Sequence, residues 1–177
     1  GIAPVKPMLD EMEAAKTLEA LRQVQLKYGK MGFGVPFGSY FGADDKNVTM
    51  NIFSVGQGGL TLGQKDWYVN PDKATSDIRE AFKKHIVRMF ELFGFNHADA
   101  QRKMQSVFRF ETELALVSKS NVELRDPQAN YNKMTLAQFE ETYPNIPLKA
   151  YTQAEGIDTK YIQELIVGQP AFFAGLD

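Results

Sequence analysis

A glutamate set among apolar residues is the group in this chain best placed for chemistry. Met104, Val107, Phe108, Glu111, Leu114 and Ala115 recur at three- and four-residue intervals, the spacing of one helical face, so Glu111 is expected to point inward. A carboxylate taken out of water must be paired or must take up a proton. It can then act as a general base in a cleft, or as an anchor that pins a neighbouring segment. Arg125 is the natural partner for the second role, because Leu124-Arg125-Asp126 must pass near that helix if the segment after it packs there. No nucleophile or metal ligand accompanies Glu111, which favours a structural anchor made of Glu111 and Arg125.

The remaining candidates carry less. The two histidines, His85 and His97, are separated by a helix end and a loop, and each reads as a surface or boundary residue rather than a metal ligand. Asp44-Asp45-Lys46-Asn47 lacks the alternating acidic groups, the glycine and the distal glutamate of a calcium loop, and a hairpin turn is the better reading. Gly56-Gln57-Gly58-Gly59 has no following Lys-Ser/Thr, so it reads as a flexible turn and not a phosphate loop. In Lys65-Asp66-Trp67-Tyr68 the two aromatics suit either an interface or the closing of a core, and the core is preferred. With no cysteine and no motif around either histidine, neither a Cys-His nor a Ser-His-Asp arrangement can be assembled. No catalytic residue and no metal ligand is therefore expected here, and substrate-binding residues stay unassigned.

The elements that must position these groups are mostly helical. Residues 7 to about 29 read as helix, broken near 14–17, with Gly29 as a stop. Residues 31–62 are too rich in glycine for a long helix. Ser39-Tyr40-Phe41 and the alternating run from Thr49 to Val55 flank the Asp44–Asn47 turn, which predicts a β-hairpin within residues 33–56. Asn70-Pro71 opens a long helix whose stripe is Ile78, Phe82, Ile86, Met89/Phe90 and Phe93, ended by Gly94. Asn96 caps a second helix, running to about Ser118 and packed antiparallel to the first across the short loop. Residues 120–133 read as an irregular crossing segment. Thr135-x-x-Gln138 is a capping box for a short helix that stops before Pro144, and residues 147–154 suit another. Asp158 is expected to cap a last helix over residues 161–167, and the apolar Phe172-Phe173 end reads as cut off from its partner.

With 177 residues the chain is expected to form a single domain, 1–177, able to bury roughly 70% of its unfolded surface. A net charge of −2 with interleaved signs supplies no basic patch, so no nucleic-acid partner is expected. No apolar run approaches the roughly 20 residues of a membrane span, so no membrane contact is expected of this segment. No basic stretch followed by an apolar one opens the sequence, so no signal peptide is expected within it, and Gly1 reads as a residue left by tag removal from an excised piece.

Several segments in one order resemble the neprilysin and endothelin-converting-enzyme family of zinc metalloendopeptidases. Asn121 to Pro144 carries the fullest likeness, in Leu124-Arg125-Asp126-Pro127 and Tyr131-Asn132-Lys133-Met134-Thr135. Lys27-Tyr28-Gly29, Asp44-Asp45-Lys46-Asn47 and Phe110-Glu111-Thr112-Glu113-Leu114-Ala115 match further family segments. Gly59-Leu60-Thr61-Leu62-Gly63-Gln64-Lys65-Asp66-Trp67-Tyr68 follows the family form Gly-Leu-x-Leu-Pro-x-Arg-Asp-Tyr-Tyr, departing at Gly63, Lys65 and Trp67.

The resemblance implies the following. The chain is part of the N-terminal, non-catalytic lobe of a metallopeptidase that cleaves short peptides, and that lobe covers the active-site cavity. Zinc belongs to the full-length parent, on a His-Glu-x-x-His helix absent from this sequence, and none is expected here. The catalytic lobe of the same parent chain is the expected partner, and peptides are the parent's substrates. Animal members bear disulfides, so the lack of cysteine points to a bacterial member. Family habit implies an extracytoplasmic location, in the periplasm or at the cell surface. The expected fold is mainly α, a helical lobe with one small antiparallel β-hairpin. The alternative is a stand-alone helical peptide- or protein-binding module without catalytic activity.

Overall fold

The computed structural model describes residues 1–29, 31–32 and 35–177. In chain order it contains α1 (Lys6–Ala14), α2 (Leu18–Gly29), β1 (Phe37–Asp44), β2 (Asn47–Gln57), α3 (Asp66–Val69), α4 (Lys73–Leu92), α5 (His97–Val117), β3 (Asn132–Thr135), α6 (Leu136–Thr142), α7 (Leu148–Ala154), β4 (Glu164–Val167) and α8 (Pro170–Leu176). Two short 3-10 turns lie at Glu123–Arg125 and Thr159–Tyr161. No helix among the described residues is long and apolar enough to cross a membrane. The chain divides into two compact units, one formed by Gly59–Arg125 with Gly1–Ile2, the other by Ala3–Gly58 with Asp126–Asp177.

In the Gly59–Arg125 unit, α4 and α5 form the expected helical hairpin. The Asp72 carboxylate accepts from the Thr75 N–H at 3.0 Å, and the Asn96 side chain accepts from the Asp99 N–H at 3.0 Å, so each helix starts on a side-chain cap. Between them Gly94 takes φ +100°, a left-handed turn that a side chain would strain. Phe82 and Ile86 of α4, Ala115 of α5 and Tyr68 of α3 form the buried core, with Trp67, Phe90, Met104 and Phe108 packed around them. The tandem aromatics Trp67-Tyr68 thus close a core.

The other unit holds a four-stranded sheet in the order β1-β2-β4-β3. This overturns the expectation of one small antiparallel hairpin. The hairpin exists, β1 pairing with β2 antiparallel from Phe37↔Gln57 to Asp44↔Asn47. Phe33 and Gly34, which the expected span 33–56 also included, lie outside the described residues. The hairpin is half of a larger sheet. β4 pairs parallel with β2 at Phe53↔Leu165 to Val55↔Val167, and antiparallel with β3 at Asn132↔Val167 to Thr135↔Glu164.

The physical reason is burial on both faces. Leu165 and Val167 are fully buried and Ile166 nearly so; a continuous apolar run of this kind marks a central strand, and its lack of alternation makes it read equally well as helix. The Asp158 cap signal is real, but it serves the 3-10 turn at Thr159–Tyr161 and not a helix over 161–167. β3 overlaps the expected irregular segment at Asn132 and Lys133, and its four residues run straight into the capping box of α6. The Phe172-Phe173 end also has partners. Both are fully buried, and Phe173 makes ring contacts with Phe37, Phe139, Tyr143 and Phe172.

Candidate functional site

Glu111 lies inward on α5 as its spacing predicts, with 7% of its surface exposed. Its donors come from the segment that runs from Gly59 through α3. The Thr61 N–H donates to Oε2 at 3.1 Å and the Thr61 hydroxyl to Oε1 at 2.7 Å. The Tyr68 hydroxyl also donates to Oε2 by a short hydrogen bond. That hydroxyl in turn accepts from the Leu62 N–H at 3.0 Å. Burial, and next the adjoining Glu111 carboxylate, push the Tyr68 phenol far above its usual pKa, so it keeps its proton and remains a donor. A second tie lies nearby, where the Lys65 ammonium donates to the Ser118 and Leu116 carbonyls at 2.9 and 3.3 Å.

Three donors on two oxygens satisfy this carboxylate without a cation. The structure does not bring Arg125 to it, and Arg125 is exposed in the 3-10 turn at Glu123–Arg125. Both oxygens are engaged by the chain itself, an arrangement suited to holding the 60–68 segment on α5. The signal for these partners was the amphipathic Tyr68, whose polar tip needs a partner when buried.

A second polar cluster, not expected from sequence, lies in the sheet-bearing unit. Asp44, at the end of β1, is 4% exposed. Its Oδ1 accepts from the Lys46 N–H at 2.9 Å, closing the hairpin turn, and from the Tyr131 hydroxyl at 2.8 Å. Lys133 on β3 lies 3.5 Å from Asp44 Oδ2 and 2.9 Å from Glu164 Oε2 on β4. The Lys46 ammonium sits 4.2 Å from the centre of the Tyr131 ring. The Lys46 N–H, and after it the Tyr131 hydroxyl and the Lys133 charge, hold Asp44 below the usual carboxylate range. Burial, then the bond to Asp44, raises Tyr131, and the bond to Glu164 raises Lys133. These contacts join Asp44-Asp45-Lys46-Asn47 to Tyr131-Asn132-Lys133, two of the segments whose order prompted the family resemblance.

The glycine-rich stretch is not a flexible turn. Gly56 and Gln57 end β2, and the Gln57 N–H donates to Gln169 Oε1 at 2.8 Å. A Cβ on Gly58 would meet the Phe37 Cα at 3.2 Å, so a close backbone approach requires glycine there.

These residues do not suit zinc. His85 and His97 are both exposed, and His97 Nδ1 lies 2.7 Å from Glu91 Oε1. Among the described residues no three His, Cys, Asp or Glu side chains converge to hold a metal ion. A zinc site needs three or four such donors about one ion.

Comparison with known proteins places this arrangement. A model of the N-terminal region described as "Peptidase family M13" matches residues 1–177. The chain belongs to peptidase family M13. It is 30% identical to neprilysin-3 of Drosophila melanogaster over 121 residues, which is 68% of this chain and 15% of that protein. It is 32% identical to human endothelin-converting enzyme 1 over 111 residues, 62% of this chain and 14% of the relative. The crystal structure of the Mycobacterium tuberculosis zinc metalloprotease ZMP1 in complex with inhibitor superposes with a TM-score of 0.89 at 25% identity, covering 99% of this chain and 27% of that one. PEPO from Lactobacillus rhamnosis shares the fold, with a TM-score of 0.83 at 21% identity over 99% of this chain and 28% of the other. The matched chain thus spans about a seventh of the curated M13 relatives and about a quarter of the solved M13 structures.

Proposed function

We propose that this M13 chain is a non-catalytic part of the N-terminal lobe of a zinc-dependent metalloendopeptidase, and that it helps wall the cavity in which the parent enzyme cleaves short peptides. The observation that carries the reading is the near-complete superposition on about a quarter of a zinc metalloprotease, by a chain whose own donors do not suit zinc. A lobe of this kind contributes by enclosure. It excludes bulk water and folded proteins and holds a peptide beside a metal supplied by the remainder of the enzyme. On this reading residues 1–177 act as one piece of the lobe, with the β1-β2 hairpin lying within it, and the partner is the zinc-bearing lobe of the same polypeptide. Glu111 is a structural anchor within it. Family habit locates the parent outside the cytoplasm, in the periplasm or at the cell surface.

Two measurements test this together. The gene on either side of these codons is expected to encode a His-Glu-x-x-His helix with a further glutamate ligand downstream. The isolated chain is expected to hold no zinc by atomic absorption and to leave a quenched fluorescent peptide uncut. A gene without that motif, or stoichiometric zinc with peptide hydrolysis in the isolated chain, would overturn the assignment.

A further inference from the structure

β1 ends its sheet. It pairs with β2, and no other strand pairs with it among the described residues. In an antiparallel pair, alternate residues of an edge strand turn both N–H and C=O away from the partner, so β1 offers a row of backbone donors and acceptors. Gly38, near its start, has nothing within 4 Å of where a Cβ would stand. Glycine inside a strand often marks a place where another backbone comes close.

Beside this edge lies a cavity of about 230 Å³. Phe37 and Ser39 of β1, two apart and so on one face of the sheet, line it, and among the described residues none from β2 does, so an added strand's side chain on that face would reach it. Small-molecule sites run to roughly 300–1,000 Å³, so this volume suits one side chain better than a whole ligand. The other walls come from the last turns of two helices, α2 through Gln25 and Gly29, and α7 through Tyr151 and Glu155. Both helices therefore present their negative ends to the cavity. Glu155, exposed at the end of α7, adds a full negative charge. The nearest cation on the last turn of α2, Lys27, is engaged 2.7 Å from Glu11 and does not line the cavity. Phe37 and Tyr151, their rings edge-to-face at 6.0 Å, supply an apolar wall for an alkyl stem. Tyr151 donates to Gln25 Oε1 at 3.1 Å, leaving that wall ordered.

We propose that the outer edge of β1 binds an extended peptide by strand addition, with one Lys or Arg side chain of the peptide seated in the cavity beside Phe37, Ser39 and Glu155. The strand edge supplies main-chain hydrogen bonds, and the acidic cavity selects the side chain. This goes beyond the lobe assignment and does not depend on it.

Fluorescence anisotropy with labelled hexapeptides tests it on the 177-residue chain. The reference probe is Thr-Val-Arg-Val-Thr-Val; a second carries Glu in place of Arg. Two more are N-methylated at every second residue, in opposite phases. The Arg peptide is expected to bind more tightly than the Glu peptide by roughly two- to fivefold, the range for a solvent-facing ion pair, and Glu155→Lys is expected to abolish that preference. One N-methylated phase is expected to lose binding while the other keeps it. Because that comparison leaves the protein unaltered, a folding defect cannot imitate it. Equal affinity for Arg and Glu peptides, indifference to both methylation phases, or no saturable binding up to about 1 mM would each overturn the proposal.

Discussion

Removing the Glu111 carboxylate tests whether the 60–68 segment is held as described. Glu111→Ala strips the acceptor from three donors. Thr61 is exposed and its groups can turn to water, so they cost little. Tyr68 is buried; its oxygen still accepts from the Leu62 N–H, but its own proton loses its acceptor. An unsatisfied buried donor costs about 1–3 kcal/mol, and the lost charge-assisted bond about 1.5–3 kcal/mol. The total expected is therefore about 2.5–6 kcal/mol. Tyr68→Phe removes the donor instead and is expected to cost about 1.5–3 kcal/mol. The double variant should fall short of the sum by about 1–3 kcal/mol, because the two changes delete one shared bond. The assay is urea unfolding followed by the fluorescence of Trp67, the sole tryptophan, which packs against the same core as Tyr68. Arg125→Ala is the control and should move the midpoint by no more than about 0.5 kcal/mol equivalent, as exposed substitutions do. Strict additivity of the two single changes, or an Arg125→Ala cost matching that of Glu111→Ala, would refute the reasoning.

The remaining predictions concern the sheet-bearing unit. Asp44 has a depressed folded pKa, so its contribution is complete above the ordinary value of 3.8 and is lost as pH falls below it. Asp44→Asn should therefore flatten the acid limb of the stability profile, and Tyr131→Phe should raise the Asp44 pKa in a carboxyl NMR titration. Thr135→Ala removes half of the α6 capping box and should cost about 0.5–2 kcal/mol, read from the denaturant midpoint by circular dichroism. Phe173→Ala opens a void among Phe37, Phe139, Tyr143 and Phe172 and should cost about 3–5 kcal/mol in the same assay.

What could be read from the residues alone follows the range of the interactions. α4 and α5 were legible because their stripes, the Asn96 cap and the Gly94 turn are all local signals; the start of α4 was read at Asn70-Pro71, whereas its cap is Asp72. The inward position of Glu111 was legible for the same reason. Its partners were not, since Thr61 lies 50 positions away, and Arg125, nearer in sequence, stands exposed instead. The Asp44–Tyr131 bond joins residues 87 positions apart. β4 was misjudged because Leu165-Ile166-Val167 has no period at all, and only its neighbours β2 and β3 decide that it is a strand. In the same way Phe172-Phe173 looked stranded at a chain end until the fold supplied the rings that cover them.

The placement of β4 between β2 and β3 bears on how the protein is made. The sheet-bearing unit is assembled from two stretches of sequence, and of its two inner strands β2 belongs to the earlier and β4 to the later. A ribosome completes β2 about a hundred residues before it reaches β4, a delay of roughly 5–20 s. Throughout that interval the β1-β2 hairpin has finished its local pairing while the flank at Phe53–Val55 waits for its neighbour. The intervening helical hairpin, whose contacts are local, can form meanwhile. Synthesis therefore passes through a state with an open, apolar strand edge, the kind of surface that chaperones cover and that drives aggregation when they are overwhelmed.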